Sequence, residues 1–416
     1  MGAGPPFYLT FVTSWRCKLN ALLGICVLSN QRYASAHPCG SRQLSGALQL
    51  VVWAVMSVLS FGICVPAMAS FPGITKPTRT IEVSNDVQLS RAIKDLQAGD
   101  HVILADGQYQ GQQLKNVRGT ASQPIIISAQ NKHQSVLSGS YSGANMRVLG
   151  ARHIDFYGLR FSQGTIWGVR VGVDSGNSHD NGACHFIRFI ECEFDHAGQE
   201  LLKIGGNSSY ITIVGCDFHH SGLRRSGRPA YAEGIYIGNG ATLQDQPHDI
   251  IVMANRFHSI GNENQGGEAI DIKRCSHRIS VINNYIENVV VHSGGAITAL
   301  IDPSDYPEGA TNPQILIAGN EIRGVRALST GWTGAGICLG ANGIQVIGNT
   351  VSDTEGPALL VYTNAANTTG NTLFTNNQVD GEVLINAYGL RGSQSPVSVG
   401  TVNDLTIQDS LGYERY

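Results

Sequence analysis

The chain has 416 residues and a formal net charge of -3, which excludes the basic footprint of a nucleic-acid-binding protein. Fifty glycines, 42% hydrophobic residues and only 14% charged residues exclude a disordered chain and fit a turn-rich β protein.

Two apolar stretches lie early, at 21–28 and 48–69. The second runs through Val51-Val-Trp-Ala-Val-Met and ends in Ala67-Met68-Ala69 before Ser70. An apolar run closed by a small-residue cleavage pattern reads as a secretory signal. Residues 1–69 are therefore expected to be a leader and 70–416 a single domain. The mature chain is expected to be secreted or periplasmic, free of the membrane after cleavage, and a monomer. The alternative is an uncleaved anchor, since the run approaches spanning length. Cys17, Cys26, Cys39 and Cys64 fall in the leader. Cys184, Cys192, Cys216, Cys275 and Cys338 remain, an odd set without CxxC spacing that argues against a disulfide framework or a cysteine zinc site.

After the leader, Ser84–Gly107 reads as an entry cap. Gln88–Leu96 has helical spacing, and an apolar helix there would cover the open strand edge of a repeat structure. The strands His101-Val-Ile-Leu-Ala and Pro124-Ile-Ile-Ile-Ser-Ala begin a stack, and His153–Phe161 opens a regular series. A phrase then recurs. Ile187-Arg-Phe-Ile-Glu-Cys192-Glu-Phe194 is followed by Ile211-Thr-Ile-Val-Gly-Cys216-Asp-Phe218 and Ile250-Ile-Val-Met-Ala-Asn255-Arg-Phe257. Equivalent phrases turn at Asn284, Asn320, Asn349 and Asn377. These turn positions are 24 to 39 residues apart, and each phrase is followed by a second short strand. Self-similar β-branched strands at such a period, with no helical periodicity between them, predict an all-β right-handed parallel β-helix with an N-terminal capping helix. The stacked asparagines are expected to hydrogen-bond one another and the turn backbone, and carry no chemistry. Cys192 and Cys216, at the same position, read as buried free thiols.

Aligning the second strands brings Glu200-Leu-Leu-Lys203, Glu233-Gly-Ile-Tyr236 and Glu268-Ala-Ile-Asp271-Ile-Lys273 into one frame. Three glutamates then stack about 4.8 Å apart. They repel unless a cation or base lies beside them. Calcium, an oxygen-seeking ion, suits Glu233 and Glu268, with Glu200 a third ligand. The alternative is a solvated acidic edge neutralised by Lys203, Arg224 or Arg274. Lys203, Tyr236, Asp271 and Lys273 are expected to face outward beside this column. The loop carrying Arg224, Arg225, Arg228 and Tyr231 leads directly to Glu233 and suits an anionic sugar chain.

The stretch Val83-Ser-Asn-Asp-Val-Gln-Leu-Ser-Arg-Ala-Ile, with Ala98-Gly-Asp-His-Val-Ile-Leu-Ala-Asp-Gly-Gln-Tyr and Gly119-Thr-Ala-Ser-Gln-Pro-Ile-Ile-Ile-Ser-Ala, resembles the entry segment of polysaccharide lyase family 6. That family comprises alginate lyases and chondroitinase B. Glu268 and Lys273 keep the family's five-residue spacing between a calcium-binding glutamate and a catalytic lysine. The resemblance implies that Lys273 abstracts the proton α to a uronate carboxylate while Ca2+ neutralises that carboxylate. The family's arginine on the next coil falls at Leu300, so the proton donor is sought at His292, Tyr236 or Arg274. Lys203, Arg224, Arg225, Arg228, Tyr231 and Asp271 are the expected substrate contacts. The leading expectation is a secreted lyase acting on an acidic polysaccharide. The alternatives are a glycoside hydrolase using Asp271 with Glu233 or Glu268, a uronate C5-epimerase, and a non-catalytic polysaccharide-binding or exopolysaccharide-assembly protein.

Overall fold

The computed structural model describes residues 77–172, 182–223, 231–239, 245–299, 314–328, 334–340, 344–361, 373–385, 397–399 and 404–406. The leader, Arg224, Arg225, Arg228 and Leu300 lie outside them. Each coil gives one strand to each of three sheets in turn. His185–Ile190 joins the first, Glu193–Asp195 the second and Leu202–Ile204 the third, before Ser209–Val214 returns to the first. Among the described residues these sheets hold 12, 10 and 11 strands respectively. The result is a right-handed parallel β-helix.

Register is kept from coil to coil because a one-residue slip would turn the apolar set out to solvent. Ile187, Ile211, Ile250, Ile279, Ile315 and Ile344 lie directly over one another in the first sheet. Inside, Phe161, Phe194, Phe218 and Phe257 form a column with ring centroids 4.5–5.1 Å apart.

The predicted turn column is present. Asn284 donates through Nδ2 to Val252 O and to Asn320 Oδ1, both at 2.9 Å. Its own Oδ1 accepts from Asn255 N and Nδ2 at 3.0 Å. The same pattern continues through Asn320, Asn349 and Asn377. Cys216 N donates to Asn255 Oδ1 at 2.9 Å, which ties the thiol positions to the ladder. Cys192 and Cys216 are buried and free, as the sequence predicts. The residue before each ladder position adopts a left-handed conformation: Glu191, Gly215, Ala254, Asn283, Gly319, Gly348 and Asn376. That geometry, which most side chains resist, explains the frequent Gly and Asn there.

The capping helix spans Asp86–Lys94, two residues earlier than its periodicity suggests. Asn85 caps it by accepting from Gln88 N at 3.0 Å, and Leu89 and Ala92 cover the first coil. At the other end the parallel order stops. The segments Val397–Val399 and Asp404–Thr406 pair antiparallel with Val383–Ile385 and Leu373–Thr375, so the parallel order does not extend to the last described strands. Among the described residues no helix is long and apolar enough to cross a membrane.

Replacing Asn284 by alanine strands the buried Asn255 backbone N–H and the Val252 carbonyl. Each such group costs about 1–3 kcal/mol. Asn284→Ala is expected to lower the unfolding midpoint in denaturant with the slope unchanged, and Asn284→Asp to do so less at a pH where the acid is protonated.

Candidate active site

The third sheet sets out a column of outward side chains. In register, Arg147, Arg170, Lys203, Tyr236, Asp271 and Thr298 occupy equivalent positions on successive coils. Their neighbours on either side, among them Val169 and Val171, Leu202 and Ile204, Ile235 and Ile237, Ile270 and Ile272, are buried in the core. Alternation along each strand therefore forces the polar residue outward. The predicted frame is correct, and it extends two coils further back than the sequence reading took it. Arg147 and Arg170 were missed. The signal was available, since Met146-Arg-Val and Val169-Arg-Val repeat the apolar–basic–apolar pattern of Leu202-Lys-Ile. Both lie before the conspicuous glutamates.

The glutamates stack three residues earlier on each coil. Leu201 N donates to Glu233 O and Gly234 N to Glu268 O, which holds the carboxylates one coil apart. They do not form the solvated acidic edge considered as an alternative: Glu200, Glu233 and Glu268 are 1%, 4% and 7% exposed, and Asp271 is fully buried. Glu200 pairs with Lys203 at 2.9 Å. Asp271, expected to touch substrate, instead meets the Lys273 ammonium at 2.5 Å. Glu233, Glu268 and Asp271 each offer an oxygen within 4.8 Å of the others. Asp271 thus replaces Glu200 as the third member of the carboxylate trio. Its oxygen was overlooked because it falls on the strand itself, outside the glutamate frame.

Three buried carboxyl groups so close cannot all ionise cheaply. Burial, reinforced by Glu200 and Asp271, pushes Glu233 up to about 8. Glu268 is raised well above the usual range by burial, Asp271 and Glu233. Asp271 is raised by burial, against the opposing pull of Lys273. Burial alone would lower the Lys273 pKa, but Asp271, Glu268, Tyr236 and Glu233 outweigh it and hold the ammonium above its ordinary value.

Tyr236 sits between two ammonium groups, with Lys203 Nζ 4.3 Å and Lys273 Nζ 5.1 Å from its ring centroid. Among the donor candidates, Tyr236 has its ring against the Lys273 ammonium. Arg274 lies in the turn after Lys273, and Tyr231 precedes Glu233. His292 follows the strand Tyr285–Val291, and two residues later a Cβ at Gly294 would come within 3.1 Å of Glu268 Oε1. The Gly294 backbone packs closely on Thr298 and Glu268, so a side chain there would crowd the carboxylates.

The donor set fits calcium. Glu233 Oε2 and Asp271 Oδ1 are buried without a hydrogen-bond partner, and hard carboxylate oxygens on adjacent coils match the ion's preference.

Residues 83–201 match a family model described as chondroitinase B, a stretch that ends just after Glu200 and before Lys203. An alginate lyase from Paenibacillus sp. is 22% identical, with 73% of this chain and 94% of that one covered at a TM-score of 0.50. The chain has the fold of a polysaccharide lyase. Two further structures resemble this lyase-like β-helix. A polysaccharide lyase family 6 alginate lyase is 16% identical, covering 72% of this chain and 43% of that one, with a TM-score of 0.47. A pectate lyase is 14% identical, covering 77% and 82%, with a TM-score of 0.43. No curated protein sequence matches the chain.

The raised carboxyl pKa values give a stability prediction for the ion-free protein. Between the ordinary value of 4.5 and about 8, the folded lyase-like chain holds a proton at Glu233 that the unfolded chain releases, so stability falls as pH rises through that window. Lys273 contributes nothing there, because its raised value lies higher. Melting temperature in chelator should drop from pH 5 to pH 8, calcium should restore it at pH 8, and Glu233→Gln should flatten the dependence.

Proposed function

We propose that this chain is a secreted polysaccharide lyase that cleaves a uronic-acid-containing polysaccharide by β-elimination, acting as a monomer. The observation that carries the reading is the arrangement about Tyr236. A lysine held against buried carboxylates and a phenol lie side by side on the outward face of one sheet, beyond a run of cationic side chains. Arg170 and Lys203, both partly exposed, give a polyanion a positively charged approach, whereas Arg147 is buried in the same column, and guanidinium pairs well with carboxylate.

Glu233, Glu268 and Asp271 are the residues that would hold calcium. When bound, the ion would supply positive charge that neutralises the trio and acidifies the proton α to a uronate carboxylate. Its charge would also offset the pull of the trio on the Lys273 ammonium and so favour the neutral amine that a general base requires. Lys273 then takes the α proton. Tyr236, within reach of the same space, gives its phenolic proton to the departing glycosidic oxygen and is reset from solvent. Lys203, against Glu200 and Tyr236, orients the sugar chain. Tyr231, Arg224, Arg225 and Arg228 remain proposed substrate contacts.

A hydrolase is less well supported. An inverting mechanism needs carboxyl groups about 6.5–9.5 Å apart and a retaining one about 5–5.5 Å, with the sugar between them, whereas the trio's oxygens cluster within 4.8 Å and are buried together. A C5-epimerase shares the first proton transfer and differs in product.

The test is incubation with alginate, pectate, glycosaminoglycans and bacterial exopolysaccharides, followed by ultraviolet absorbance of an unsaturated uronate. One substrate should give rising absorbance, and Lys273→Ala should fold normally yet lose about 10²–10⁴ in rate. Near wild-type turnover by that variant would overturn the role of Lys273, and inverted uronate without chain cleavage would replace the lyase by an epimerase.

A further inference from the structure

The outer face of the second sheet carries a histidine cluster that the proposed chemistry does not use. Asp195, His219 and His258 stack in register on successive coils. His196 and His220 follow the first two of these, each in a left-handed conformation that swings its ring back over the preceding side chain. The His196 and His220 rings stack 4.8 Å apart and 3° from parallel.

Two coils thereby present matching pairs of donor atoms. On one, His196 Nδ1 contacts Asp195 Oδ2. On the next, His219 Nδ1 lies 2.8 Å from His220 Nδ1. Ligand atoms of Asp195, His196 and His219 all fall within 4.8 Å of one another. His219 is oriented from behind, because its Nε2 meets Glu193 Oε1 at 3.2 Å. A carboxylate on one ring nitrogen leaves the other as a basic lone pair, the usual backing of a metal-bound histidine. Asp195 is in turn fixed by Arg160, at 2.9 and 2.8 Å, and by Ser162 Oγ at 3.0 Å. Without an ion, the contact between the two Nδ1 atoms requires one proton between them.

We propose that Asp195, His196, His219 and His220 bind a divalent transition-metal ion of the zinc class, separately from the carboxylate trio. Imidazole nitrogens favour such ions, whereas calcium and magnesium favour oxygen. The 2.8 Å nitrogen separation needs to open only slightly to reach the roughly 3.3 Å that tetrahedral bonds of about 2.0–2.1 Å require. Binding needs no change of net protonation at neutral rings: the His196 and His220 protons move to Nε2, and His219 keeps its own on Glu193.

The site lies where each coil leaves the second sheet for the third. His196 is four residues before Glu200, and His220 opens the segment leading to Glu233. An ion here would pin both connections at their roots and steady the approach to the third-sheet column.

The test uses Zn2+ and Co2+ with the full mature chain. Equilibrium dialysis in excess calcium should show about one Zn2+ per chain, and Co2+ should give the intense visible bands of a tetrahedral site. His196→Ala combined with His220→Ala, two side chains that reach solvent, should weaken binding more than about tenfold with the fold intact by circular dichroism. Glu233→Gln should leave zinc binding unchanged. Absence of zinc uptake by the wild-type chain overturns the proposal. So does unchanged uptake by the double variant, or loss of uptake in Glu233→Gln. None of these results bears on Lys273 or the lyase assay.

Discussion

Everything in this molecule follows from parallel, in-register stacking, which places chemically equivalent residues directly over one another at the spacing of one strand. For apolar and amide side chains the repetition is favourable. Phenylalanines fill a continuous core column, and asparagines satisfy one another and the turn backbone without water. For charged side chains the same repetition is costly, and the molecule answers it differently on each sheet. On the second sheet, acidic side chains meet basic partners along a diagonal: Arg160 with Asp195 and Arg256 with Glu287 as ion pairs, with the imidazoles of His219 beside Glu193 and His258 beside Asp217. On the third sheet, like charges are stacked and buried.

That difference separates scaffold from site. The diagonal pairs are partly exposed, and exposed ion pairs contribute little to stability. The carboxylates of the third sheet are buried, close together and incompletely hydrogen-bonded. Such a cluster is tolerated when its negative charge serves a bound cation or a reaction. Lys273 supplies only part of the compensation, and Glu200 Oε2, Glu233 Oε2 and Asp271 Oδ1 stay without hydrogen bonds. The rigid coil beneath holds these groups at fixed separations, which a loop-borne site would not do.

The architecture was legible because its signals are local and repeated. Seven phrases with a Cys or Asn at the turn announce the ladder, and the apolar alternation fixes which residues face inward. The glutamate frame was legible for the same reason. The burial of those glutamates was not, because it depends on how coils approach one another in three dimensions. Asp271 illustrates the point. Alternation placed it on the outward face, correctly, yet only the fold brings its carboxyl against Glu233, Glu268 and Lys273. Arg147 and Arg170 escaped notice because their coils lack the glutamate that marked the others. The antiparallel closing strands carry no repeat at all, so periodicity could not foresee their direction.

The central claim is that the third-sheet carboxylates are protonated in part when no ion is present and become ligands when calcium arrives. Calorimetric titration with calcium in buffers of different ionisation enthalpy measures this directly, because ligands that bind metal must first lose their protons. With Glu233 raised to about 8 and Glu268 well above its ordinary value, binding at pH 7 should release at least about one proton per ion, and the share from Glu233 should fade toward pH 9. Calcium binding with no proton release at pH 7, or no binding at all by an active enzyme, would contradict it.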